Sequence, residues 1–304
     1  MRRLMVFRFA LLLGLVVPVT PVTAQDSGSL EDNLSAYVGA NAEGYLGPLR
    51  DGIGGALNSG LFMYPGVPSS GFHLRVDARA MIADYNDEDR TFLATTDPSF
   101  GDNPQTVEAP TVIGSTESSS VSDPTTGAIY TFPGGFDIGQ LGLAAPQITV
   151  GSFFGTEFLG RWIAVEPGDL QVQKIELWGV GARHSINEWF QSLPVDISIH
   201  GMYQEFHVDD DLIDATAVTL GGVVGKSFGI LAGYAGLSWD SVEMDARYVS
   251  DASGQSEEVT VQLEKQDNVV LGLGATVKFG FLHLNGEYHI AERNSYAFGI
   301  GLGL

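Results

Sequence analysis

The sequence predicts an all-β protein: an antiparallel, up-and-down β-barrel that crosses a membrane with about ten strands, eight to fourteen being compatible. Three observations lead there. Residues 294–304 (NSYAFGIGLGL) put Tyr296, Phe298, Ile300, Leu302 and Leu304 on one face of a strand and Ala297, Gly299, Gly301 and Gly303 on the other. A half-buried soluble strand carries polar residues on its outer face, and this one has none. At the other end of the chain, Phe72, Leu74, Val76, Ala78, Ala80 and Ile82 alternate with His73, Arg75, Asp77, Arg79 and Met81. A strand of that length crosses a tilted bilayer path, which takes ~9–11 residues. Finally, mean hydropathy is +0.10 despite a formal net charge of −22. Beyond residue 24 no run approaches the ~18 apolar residues of a membrane helix, so the apolar content is spread through short segments.

Taken in order, residues 1–24 read as a cleaved secretory signal. Met1-Arg2-Arg3 is basic, an apolar run broken by Arg8 reaches Val17, and Val22-Thr23-Ala24 is a small-x-small end. The chain has no cysteine, which excludes lipoprotein anchoring and disulfides. Without the signal's three arginines, 12 basic and 37 acidic residues give a formal charge of −25. That balance repels nucleic acid, whose binding requires phosphate neutralisation.

Residues 25–66 do not alternate. Leu30, Leu34, Val38, Ala42, Tyr45, Leu49, Ile53 and Ala56 recur at helical spacing, interrupted by Gly39, Gly44, Gly47 and Pro48. Two short helices, or a helix and a glycine-rich turn, are expected. The segment either rests in the periplasm or folds into the lumen as a hatch, and Gly52–Gly60 (GIGGALNSG) favours close packing inside. The barrel is expected over residues 67–304. After the first strand, residues 84–90 (DYNDEDR) form a solvated outer loop, and residues 91–140 suit either a long external loop with local β structure or one further hairpin. Strands follow at 148–154, 156–165, 170–183, 195–208, 212–226, 228–248, 269–279 and 282–290, with a short helical turn at 185–194 and a tight turn at Gly280-Phe281.

The final strand is similar to the C-terminal sorting strand of bacterial outer-membrane barrels, with Tyr296, Phe298 and Leu304 as the signal residues; the family pattern most often ends in Phe, where this chain has Leu304. The resemblance implies recognition by the barrel-assembly machinery. Further stretches resemble a family of outer-membrane barrel proteins of Gram-negative bacteria known only as a domain of unknown function. They are residues 45–48 (YLGP), 57–60 (LNSG), 109–114 (APTVIG), 132–137 (FPGGFD), 146–157 (PQITVGSFFGTE), 177–187 (LWGVGARHSIN), 193–197 (LPVDI) and Tyr203-Gln204. They run in order across most of the mature chain and imply an outer-membrane barrel without naming a ligand. More distantly, the chain is similar to long-chain fatty-acid transport barrels, which carry an N-terminal hatch inside a 14-stranded wall.

With the apolar face outward, His73, Arg75, Asp77 and Arg79 point into the lumen, as do Lys278, His283, Asn285, Glu287 and His289. Glu157 and Arg161 share a face opposite Phe158 and Trp162. Residues two apart are neighbours, so Arg75, Asp77 and Arg79 can form an internal ion-pair ladder. Such a set reads as a charged constriction that selects a solute, or as internal bonding that fills a narrow barrel. His283, Glu287 and His289 are metal-ligating types, yet their spacing along one strand keeps all three from meeting, and neither metal nor cofactor is expected. His184 and Ser185 point to opposite faces and cannot form a hydrolytic couple. The acidic clusters at 84–89 and 209–211 lack the spacing of a calcium loop and read as solvated loops. No Gly-x-Ser-x-Gly, Walker or His-Glu-x-x-His motif occurs.

The expected function is therefore non-enzymatic: passage or binding of small, hydrophobic molecules at the outer membrane, or a structural or adhesive barrel with a packed lumen. Outer-membrane lipid, lipopolysaccharide and a small hydrophobic ligand are the expected partners.

Overall fold

The computed structural model describes residues 29–61, 64–69, 71–97, 100, 104–166, 174–190, 192–209, 211–250 and 256–303. The signal segment and Leu304 lie outside the described residues. Two helices, α1 (Leu30–Leu34) and α2 (Ala40–Leu57), precede β1 (His73–Asp84). Four short strands follow: β2 (Thr91–Thr95), β3 (Thr106–Pro110), β4 (Ser119–Ser122) and β5 (Ile129–Phe132). The remaining strands are β6 (Gln140–Phe153), β7 (Thr156–Val165), β8 (Ile175–Ser185), β9 (Asp196–Val208), β10 (Ile213–Phe228), β11 (Leu231–Ser250), β12 (Glu257–Phe279), β13 (Leu282–Ile290) and β14 (Ser295–Gly303). β6 to β14 pair in sequence, each antiparallel to the next, and β1 closes the cylinder by pairing with both β6 and β14. The barrel has ten strands. Residues 85–139 are a long loop carrying two hairpins of their own, β2–β3 and β4–β5, outside the wall.

The two barrel ends differ. At one, pairs of residues turn the chain between β6 and β7 (Phe154-Gly155), β10 and β11 (Gly229-Ile230), and β12 and β13 (Gly280-Phe281). Gly155, Gly229 and Gly280 take φ of +69°, +63° and +61° there, a region that costs a side chain and costs glycine little. The same end carries the ten-residue connection 186–195, and the other end carries the longest one, residues 85–139.

The outer surface is layered. From Val218 to Phe228 the outward positions of β10 include Val218, Leu220, Gly222, Val224 and Phe228; the facing β11 shows Leu231, Ala235, Leu237 and Trp239. Ten residues at barrel tilt rise roughly 25 Å, the height of a lipid-facing band. Phe154, Phe228, Phe279, Phe281 and Trp189 ring its short-turn edge, exposed. Beyond the opposite edge the same strands continue with Asp214 and Thr216, then Glu243, Asp245 and Arg247, outward.

That continuation explains the largest departure from expectation. β12 begins at Glu257 rather than Val269, because Val259, Val261 and Leu263 point inward while Glu258, Thr260, Gln262 and Glu264 face water. This is the alternation of a soluble strand, and beside a polar loop it reads as loop. Its inner face completes an apolar core at the long-loop end, where Leu34, Tyr37, Tyr45, Leu46 and Ile53 of the helical segment meet Val112, Ile113 and Phe132 of the long loop and Met244, Ala246 and Tyr248 of β11. Helix α2 also departs from expectation by running unbroken through Gly44, Gly47 and Pro48. The reason is contact. A Cβ on Gly44 would enter the Phe92 ring, one on Gly52 would meet the Tyr85 phenol, and one on Gly54 would lie 2.7 Å from Val242 Cγ1.

In lipid vesicles, Leu273→Arg, in the apolar band of β12, is expected to cost about 2–4 kcal/mol, and Thr216→Arg, beyond its edge, about 1 kcal/mol or less. Urea titration of the folded barrel measures both.

Candidate functional site

The lumen is occupied by α2 and the tether that runs from it to β1. Wall side chains from β6 to β9 hold this tether by its backbone carbonyls. Arg161 Nη1 donates to Leu57 O (3.0 Å), and its Nη2 donates to Ser59 O (3.0 Å) and Gly60 O (2.5 Å). Gln204 Nε2 donates to Leu57 O (2.6 Å), Gln147 Nε2 to Leu61 O (3.2 Å) and Ser198 Oγ to Pro65 O (3.0 Å). Arg183 donates to Tyr64 O and Gly66 O. Leu57 ends α2, so the Arg161 cation sits at the negative end of a helix whose last carbonyls lack helical partners.

The opposite wall holds the same tether by its amide. Gly60 N–H donates to Glu287 Oε2 (3.1 Å), while its carbonyl accepts from Arg161. Gly60 has φ +63°, and a Cβ there would lie 2.8 Å from Ala297 Cβ, so both conformation and space require glycine. Glu287 also accepts from Tyr234 Oη (2.8 Å) and faces His289 Nε2 (3.1 Å).

Next to this lies a row across β1, β14 and β13. The register pairs Arg75 with Gly303, Asp77 with Gly301 and Arg79 with Gly299; β13 sets His283 against Gly301 and Asn285 against Gly299. The space over these glycines is taken by long side chains of β1 and β13, which meet across β14. Arg79 Nη1 reaches Asn285 Oδ1 at 2.9 Å, and a Cβ on Gly299 would lie 2.8 Å from that Nη1. A Cβ on Gly301 would overlap the Asp77 carboxylate. Of the expected ladder, Arg75 Nε and Asp77 Oδ2 pair at 3.2 Å, whereas Arg79 turns to β13.

At the short-turn end the lumen opens into a cavity of about 450 Å³ lined by Tyr64, His73, Arg75, Glu157, Arg183, Lys278 and His283, among others. Glu157 is buried between Arg183 Nη2 (2.6 Å) and His73 Nε2 (3.1 Å). The Tyr64 hydroxyl and His283 Nδ1 share a hydrogen bond at 2.5 Å. Lys278 is exposed at the rim.

At the long-loop end, Arg293 ties the helix to the loop. Its Nη1 pairs with Asp51 of α2 and its Nε donates to Asp89 Oδ2 (3.1 Å); burial opposes the charge, but these carboxylates hold the guanidinium above its ordinary value. Tyr248 Oη donates to Tyr37 O (2.9 Å), and Asn33 and Tyr45 both donate to Gly134 O (3.1 Å each).

The structure thus brings Arg75, Asp77, Arg79, Glu157, Arg161, Glu287 and His289 against one another or the tether, and places His73, Lys278 and His283 around the cavity. His283 is held by Tyr64, apart from the Glu287–His289 pair, and among the described residues no group of three or more His, Asp or Glu is placed to hold a metal ion. His184 bonds Thr156 Oγ1 (2.9 Å) at the end of β8. Of the sorting residues, Tyr296 packs its ring against that of Tyr288, centroids 5.1 Å apart and planes tilted by 32°, and Phe298 is exposed on the outer face. Sequence reading missed Gln147, Arg183, Ser198, Gln204 and Arg293. The expected strand 170–183 already held Arg183, and its parity opposite the outward Trp178 and Val180 is the signal that would have found it.

Gly301→Val is expected to lower the barrel's urea stability by about 1–3 kcal/mol through overlap with Asp77. Gly233→Ala, where a Cβ meets nothing within 4 Å, is expected to leave it unchanged.

A model of a family of unknown function (DUF6588) matches residues 1–304. No curated protein matches the chain. Solved structures similar to it include a loop-deletion mutant of OmpT, an outer-membrane protein of Vibrio cholerae, at 10% identity, covering 77% of this chain and 98% of that one with a TM-score of 0.28. The toluene transporter TodX of Pseudomonas putida is similar at 9% identity, 76% and 89% coverage and a TM-score of 0.24. The toluene transporter TbuX of Ralstonia pickettii stands at 8% identity, 78% and 89% coverage and 0.21. Scores of this size establish neither substrate nor mechanism.

Proposed function

We propose that this chain, which belongs to a family of unknown function (DUF6588), is a non-enzymatic outer-membrane barrel through which small molecules pass or in which they bind, with residues 29–66 as its closure. The observation that carries this reading is how the lumen is filled. The tether is held by hydrogen bonds from wall side chains to its backbone, without a covalent link to the wall. Such bonds contribute only about 0.5–1.5 kcal/mol each, or up to about 3 when one partner is charged, so the tether can detach from the wall in steps. Outer-membrane residence is supported by the apolar outer band with its aromatic edge, a surface far larger and more continuous than a water-exposed monomer carries.

A second reading, a packed structural barrel, is favoured by the internal pairs Arg75–Asp77 and Arg183–Glu157, which compensate each other without a solute. Deleting residues 26–66 separates the two. As a closure, the segment's removal opens steady conductance in planar bilayers and admits small labelled solutes to proteoliposomes. A folded deletion variant, verified by its heat-dependent gel mobility, that stays silent overturns the transport reading.

A further inference from the structure

The lumen arginines differ in what solvates them. Arg75 has Asp77 at 3.2 Å, and Arg183 has Glu157 at 2.6 Å. Arg161 is only 2% exposed, and among the described residues no carboxylate lies within salt-bridge distance of it; Glu287 and Asp77 act on it only from further away. Its acceptors are neutral: the amide oxygens of Gln147 (2.8 Å) and Gln204 (3.1 Å), the Met81 sulfur (3.1 Å), and the carbonyls of Leu57, Ser59 and Gly60. A buried cation without a contacting counter-ion leans heavily on such acceptors. Three of these six belong to the segment that closes the lumen.

We propose that Arg161 is a carboxylate-binding position, and that a small monoanionic solute opens the barrel by taking the guanidinium from the carbonyls of Leu57, Ser59 and Gly60. The proposal rests on residues 29–66 being a closure and names the solute class for it. The bonds from the guanidinium to these carbonyls carry one charge; a carboxylate adds the opposite charge and accepts in two-pronged geometry, which a single carbonyl does not. The surroundings fit the exchange. The side-chain amides of Gln147 and Gln204, which now donate to Leu61 O and Leu57 O, flank the guanidinium and supply further donors once the carbonyls withdraw. An apolar solute offers these donors nothing, so burying it there would leave each of them unsatisfied. The tether has slack: beside Asn58 and Leu61 lies a small cavity of about 40 Å³, and the buried Asn58 Oδ1 facing that region has no partner among the described residues. Access is from the 450 Å³ cavity at the short-turn end, past Arg183.

The test uses the full chain in lipid vesicles and planar bilayers, with sodium propionate replacing sodium chloride at constant ionic strength and propionamide as the neutral counterpart. Propionate is expected to speed amide hydrogen exchange of residues 57–61 about tenfold, equivalent to about 1.4 kcal/mol, and to lengthen open events; propionamide does neither. Arg161→Gln keeps donors but loses the charge, so its exchange and conductance become independent of propionate. Equal action by propionate and propionamide, no action by either, or a full propionate response in Arg161→Gln overturns the proposal. If that variant fails to fold, the wild-type comparison of acid and amide decides alone. A conducting 26–66 deletion beside a propionate-insensitive full chain defeats only this inference, whereas a silent deletion defeats the closure reading beneath it.

Discussion

A guanidinium shut away from water must be solvated by the protein around it, and the middle of this barrel is built to do so for Arg161. The wall supplies two glutamine oxygens and the Met81 sulfur, and the remaining acceptors come from the end of α2 and the residues after it. The dependence is mutual. The helix terminus has carbonyls with no partner of its own, and the wall carries donors with no water. Each leaves a costly group unsatisfied without the other, so the position of the helix and the character of the wall are one solution to a single desolvation problem. Gly60 joins both halves of the cylinder, its carbonyl on the Arg161 side and its N–H on the Glu287 side.

A second constraint is volume. A ten-strand cylinder cannot hold a helix and also a large side chain at every inward position. β14 therefore gives up its inward side chains, and the space goes to Arg75, Asp77 and Arg79 from one neighbour and His283 and Asn285 from the other. The same economy appears in α2, where Gly44, Gly52 and Gly54 admit Phe92, Tyr85 and Val242. Away from the apolar band the rules change. At the long-loop end the interior is an apolar core of the kind found in water-soluble proteins, because water outside that part of the wall again rewards burial.

Much of the fold was legible because the band imposes its own alternation. β7 and β13 match their expected limits, and the turn at Gly280 is where its glycine puts it. The extension of β12 was not legible, since Glu257 to Gln266 mixes outward charge with inward Val and Leu in a stretch surrounded by polar residues. In the site, parity correctly placed Arg75, Glu157, Arg161 and Glu287 inside. Their partners stayed hidden, because most are backbone carbonyls of a distant segment, and a carbonyl leaves no mark in the sequence. Arg293 was hidden for a related reason: it lies between strands, where no periodicity says which way a side chain points.

The contact between Gly60 and Ala297 has one more consequence, for the order of assembly. The helical segment is made first, and β14, the last strand, lies directly against it while pairing with β1. A segment already folded over when that strand arrives is enclosed without threading, so a strand pairing made late seals in a segment made early.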